Sequence, residues 1–263
     1  MHQIFTQLTN SLAGFLLLCC LAAVAGAEQT AQSKVLPGDG EQDISAYLTF
    51  YYQRPDPARI PELIDFCGKA VGEKPSALGG AMGFLAGIFH HNPQHLQQWR
   101  KEVNFKDSAT RKVFLLGLWH ADSREAKRQA NIFLLQHPDL KFLVKGRKMQ
   151  PFIGVPIDHP MVLDALWGDF MATGEAAPVE RIIAVLPWAW QYDPGNNPQD
   201  TQRYRQLDFR FMIGGAAQWS LASNARQHPR VLAICETARG KTSDTKLADA
   251  LTKIITSTKA KNP

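Results

Sequence analysis

The chain is 263 residues long, 45% hydrophobic and 20% charged, the balance of an ordinary globular protein, so general disorder is not the expectation. That length supports a hydrophobic core without help from metal or disulfide. The net charge of +5 is too small to argue for nucleic acid as a partner; it favours at most weak contact with an anionic cell-wall or membrane surface.

Residues 12–24 are apolar, and Ala25, Gly26 and Ala27 follow as a small-x-small cleavage pattern ahead of Glu28. The run is shorter than the roughly 20 apolar residues that span a bilayer. Residues 1–27 are therefore expected to be a cleaved export signal, although no Lys or Arg precedes the apolar run. A lipoprotein signal is the rival, but the residues before Cys19 and Cys20 are large or thiol-bearing where lipidation sites want small ones. Cleavage would leave Cys67 and Cys235, each among apolar neighbours; buried free thiols are expected, with a disulfide as the alternative.

Residues 28–42 are polar and without periodicity, a flexible lead-in. A single all-α domain is expected over 43–258, with a frayed tail at 259–263. Asp43 is a good N-cap, and Ile44, Tyr47, Leu48, Phe50 and Tyr51 fall on one side of a helix that the prolines at 55 and 57 end. Ile60, Leu63, Ile64 and Cys67 recur at spacings of three and four and make its partner helix. Residues 76–138 write the same layout twice. An apolar helix over 77–91 breaks at Asn92 and Pro93 and resumes over 94–99; a second over 111–120 breaks at 121–123 and resumes to 136. Glycines at 79, 80, 83 and 87 each lower helix propensity by about 1 kcal/mol relative to alanine, which predicts a backbone packed close against a neighbour.

The helical rhythm lapses over 137–160, where Pro151, Pro156 and Pro160 exclude a continuous helix and predict a long loop. A fourth hairpin follows: Met161, Leu163, Leu166, Trp167, Phe170 and Met171, a stop at Gly174, and a restart at Ala177 and Pro178. Residues 187–198 form a second long loop. The fifth hairpin pairs 209–221 with Val231, Leu232, Ile234 and Cys235. Leu247, Ala248, Leu251, Ile254 and Ile255 then make a closing stripe behind Ser243 or Asp244. The corners recur at irregular spacings of roughly 30 to 50 residues, in the range of helical repeats. The fold class is all-α, built of stacked αα-hairpins, either as a helical-repeat-like array or as an irregular compact helical domain.

Candidate sites divide into chemistry and recognition. His91 and His95 stand four apart, the spacing of two ligands on one helix face, with His90 and His120 in similar corners; Asn92 and Pro93 break that face, so no metal site is assigned. His137, His159 and His228 each precede a proline and read as turn punctuation. Asp164, Asp169, Glu175 and Glu180 offer a carboxylate pair whose separation nothing in the sequence fixes. Serine-elbow and phosphate-cradling glycine motifs are absent, so no catalytic residue and no cofactor is assigned. The loops carry the binding candidates: Trp188, Trp190 and Tyr192, which present aromatic faces to a partner or else cap the core, and Lys145, Arg147 and Lys148, which meet an acidic partner or else form a solvated turn. The expectation is an exported, periplasmic or secreted module that binds another envelope or secreted protein, as a secretion accessory or toxin-neutralising protein. A cell-wall glycan-cleaving enzyme using a carboxylate pair is the alternative.

Overall fold

A helix that is apolar on every side has to sit in the middle of a protein, and the one over 78–91 fixes the arrangement of the rest. The computed structural model describes residues 40–190 and 201–260, with side chains over 44–190 and 209–260, and the described residues hold twelve α-helices and no strand. These are α1 (Gly40–Thr49), α2 (Ile60–Glu73), α3 (Leu78–His91), α4 (Leu96–Glu102), α5 (Ser108–His120), α6 (Arg124–Gln136) and the short α7 (Lys141–Val144). After the first long loop come α8 (Pro160–Thr173), α9 (Ala176–Ala184), α10 (Thr201–Gln227), α11 (Pro229–Lys241) and α12 (Thr245–Lys259). The signal and lead-in expected over 1–42 lie outside the described residues up to 39. Helix α1 begins at Gly40, so Asp43 lies inside it and does not cap it.

The corners follow local chemistry. Asn92 ends α3 by donating its side-chain amide to Ile88 O at 2.9 Å, and Pro93 opens the next turn. Ser123 Oγ accepts the Ala126 N–H at 3.0 Å and Asp244 Oδ1 accepts the Leu247 N–H at 3.1 Å, satisfying backbone donors that a helix start leaves without partners. Gly174 ends α8 in the left-handed conformation, φ 66°, where a side chain would be strained, and its N–H closes onto Phe170 O at 2.7 Å. His90 and His120 tie successive corners together: the Nδ1–H of His90 donates to Ala121 O at 2.8 Å and that of His120 to Gln150 O at 2.7 Å.

Every residue from 79 to 89 of α3 is buried, and α3 lies between α5 and α8. Its glycines face α8, as their number predicts. A methyl group added at Gly83 would fall within 2.6 Å of Ala165 Cα, and one added at Gly168 within 2.7 Å of Phe84 N. The two backbones are in contact. This pairing skips over α4 to α7, and α10 to α12 close against α8, α9 and one another. The fold is therefore the compact member of the two all-α architectures the pattern allows, with one continuous core running from Tyr51 to Ile254. Cys67 and Cys235 are buried free thiols within it, each pushed up to about 12 by burial, well away from the reactive thiolate form. No described helix is long and apolar enough to cross a membrane.

Candidate functional site

The end of the first proline-rich loop lies opposite the start of the second, where Trp188 stands. The first leaves α7 at the positive-φ turn of Gly146 and is held at three places. His120 grips Gln150 O and stacks on the buried Phe152 ring at 4.0 Å. Arg181 of α9 donates to Ile153 O and, at 2.9 Å, to Val155 O. His159 accepts the Met161 N–H at Nδ1, 3.1 Å, and so caps α8 ahead of Pro160. An extended segment fastened at both ends and in the middle offers a fixed wall, because its backbone has little freedom left to lose on binding.

The second loop supplies the opposite wall. After α9 a tight turn, Leu186–Ala189, carries Trp188, whose half-buried ring packs against the core. Helix α10 reaches this turn through Gly214, where an added methyl would lie 2.7 Å from Trp188 C. One turn earlier Arg210 sets its guanidinium 5.3 Å from the Trp188 ring centroid, a cation over an aromatic face. Between the walls lies a cleft of about 900 Å³ lined by Ile157, Asp158, Arg181, Trp188, Phe209 and Arg210 among others. Its floor is apolar and aromatic. Of its described charged lining, two arginines face one carboxylate, so the cleft suits a ligand that brings an anionic group beside an apolar one.

Of the residues expected from sequence to bind, Trp188 lines this cleft. Trp190 is half-buried and packs against the core without lining it, and Tyr192 lies outside the described residues. Lys145, Arg147 and Lys148 are exposed on the turn after α7 and do not line it either. Arg181, Phe209 and Arg210 also line it and belong to no motif that marks them in the sequence. The one available signal was on α10, where Phe209 and Phe211 fall off the buried stripe made by Ile213 and Ala217 and are more than two-fifths exposed, Phe209 by 44%.

The residues with acid–base potential lie elsewhere. Asp164, 3% exposed, sits where α8 crosses α3, with its Cβ 2.8 Å from where a methyl on Gly79 would be; burial pushes its carboxyl up to about 8. Asp169, on the same helix, is pushed up to about 7 by burial and by the charge of Glu175, against a smaller opposing pull from His90. Glu175 pairs with His91 Nε2 at 3.3 Å, and Glu180 is exposed. None of the four acidic residues lines the cleft. His95 stacks on Trp99 at 5.4 Å, and among the described residues no group of three or more His, Cys, Asp or Glu is placed to hold a metal ion.

Comparison with known proteins adds no relative. No family model, no curated protein and no solved structure matches the chain. Its chemistry has to be argued from its own residues. The described lining of the cleft presents Asp158 as its one carboxylate, where glycoside cleavage uses two carboxyl groups across the scissile bond. Its described lining combines Trp188 and Phe209 with Arg181 and Arg210.

Proposed function

We propose that the chain is an exported helical module that binds a segment of another envelope or secreted protein in the cleft between its two long loops, without covalent chemistry. One observation supports this most: the end of the first loop, the start of the second and the face of α10 meet at one amphipathic cleft, with Arg210 held over Trp188 in it. Aromatic and arginine side chains in partly desolvated pockets concentrate binding energy at protein interfaces. The cleft's two arginines select an acidic residue on the partner, and the apolar floor takes the side chain next to it. The export half of the reading rests on the apolar run at 12–24 and the small residues before Glu28. Accessory work in a secretion assembly and neutralisation of an envelope-directed toxin both use such a cleft in the same way.

The test is capture of the partner from an envelope extract by immobilised chain. Trp188→Ala and Arg210→Ala are each expected to weaken retention of the captured band by about 30-fold, the effect of losing roughly 2 kcal/mol at an interface anchor. Circular dichroism should stay helical in both. Retention unchanged in both variants contradicts a partner seated in the cleft.

A further inference from the structure

The turn after α7 has a character the cleft does not explain. From 140 to 157 the sequence contains no Asp or Glu, while Lys141, Lys145, Arg147 and Lys148 crowd into eight positions, and all four are exposed. No ion pair links any of them to a carboxylate among the described residues. Their grouping is structural as well as sequential. The Arg147 N–H returns to Val144 O at 3.0 Å, and Gly146, at φ 72° with nothing within 4 Å of an added methyl, forms a tip that stands clear of the rest of the molecule.

Amid these cations stands Phe142, 70% exposed, and just before the corner that leads to it stands Leu135, 78% exposed. They are the two most exposed large apolar side chains among the described residues. An uncovered phenylalanine next to unpaired lysines is unfavourable in water on the apolar side and uncompensated on the charged side. One environment satisfies both: an anionic bilayer surface, where the ring enters below the headgroups while long cationic side chains reach the phosphates. An acidic polymer would meet the charges and leave the ring in water.

We propose that the basic turn at 141–148, with Phe142 at its centre, docks this protein on a membrane surface rich in anionic phospholipid. The docking face is separate from the cleft, since none of these residues lines it. A bound partner segment and a bound membrane are therefore compatible. The cations provide attraction that salt weakens, and the ring provides anchoring that salt leaves alone.

The experiment is co-sedimentation of the full chain with vesicles of phosphatidylcholine alone and of phosphatidylcholine with one-third phosphatidylglycerol. It is read as the ratio of the two partition coefficients, to which the uncharged stretch 12–24 contributes equally. The expected ratio is on the order of tenfold or more at low salt, falling towards one as salt rises and the Debye length shrinks from about 10 Å to about 3 Å. The combined change Lys145→Gln, Arg147→Gln and Lys148→Gln should bring the ratio near one. Phe142→Ser should lower partition onto the anionic vesicles roughly fivefold without changing the salt dependence. If the combined variant fails to fold, Lys148→Gln alone should lower the ratio about threefold. Equal partition onto both vesicle types, or variants indistinguishable from the parent, overturns the proposal. Retention on a polyglutamate matrix with no retention on vesicles also overturns it, in favour of an acidic macromolecule.

Discussion

Gly83→Leu is expected to lower the unfolding free energy by at least about 3 kcal/mol, read as a large fall in the urea midpoint, which is a substantial part of the stability of a domain this size. The reason is steric and local. Helices α3 and α8 touch backbone to backbone, and any Cβ at position 83 lands on the main chain of Ala165, which has no flexible end to swing aside. The helices would have to separate, loosening a core in which Phe84 and Leu166 are both buried. The gain in helix propensity returns no more than about 1 kcal/mol. Gly240→Ala is the control. Gly240 lies inside α11 with nothing within 4 Å of an added methyl, so there the propensity term acts alone and stability should rise by about 0.5 to 1 kcal/mol. Similar effects at the two positions would mean that α3 and α8 do not touch as described.

The second large effect is on stability as a function of pH. The Asp164 carboxyl is pushed up to about 8 by burial in the α3–α8 contact, whereas the unfolded chain titrates near the ordinary value of about 4. The folded state therefore holds a proton that the unfolded state gives up. Stability from this group is fully present below about 4 and is lost as pH rises through about 8; at pH 7 the loss is on the order of 4 kcal/mol. Asp169, pushed up to about 7, adds to the same decline between about pH 4 and 7. His228 works in the other direction. It is fully buried, its Nδ1 lies 3.3 Å from Tyr52 Oη and its ring is packed against Phe50 and Phe170, and burial holds it down to about 4. Its share of stability is present above about 6.5 and is lost as pH falls towards 4. Asp164→Asn, neutral and nearly isosteric, is expected to shrink the decline between about pH 4 and 8 and leave the opposite contribution of His228 in place. Urea midpoints taken from pH 4 to 9 check this, and a variant profile parallel to the parent's would contradict a protonated, buried Asp164.

The helices were legible because their ends are written in local chemistry. Asn92 and Pro93, Ser123, Gly174 and Asp244 each stop or start a helix by a bond or a backbone conformation that the residue type itself favours. The glycines of α3 announced a close neighbour, but not which one. Helix α8 lies far along the chain, and its matching small residues, Ala165 and Gly168, say nothing of their partner until both helices are in place. The cleft was half legible for the same reason. Proline and aromatic content marked both loops, and Trp188 with them. Arg181 and Arg210 sit on helix faces where arginine is ordinary, and only the fold turns those faces towards one another. Asp164 looked like any acidic residue on a helix surface; its burial comes from the glycine face opposite, not from its own neighbours in sequence.

A partner seated in the cleft between the two loops would lie beside Phe209, which lines the cleft and is partly exposed, so a photo-reactive benzoylphenylalanine placed there should cross-link it in an envelope extract. One discrete adduct is expected from that position, lost when Trp188→Ala is added, and no adduct of the same mass from the same group placed at Phe142. An adduct that survives Trp188→Ala, or that forms equally from both positions, would contradict it.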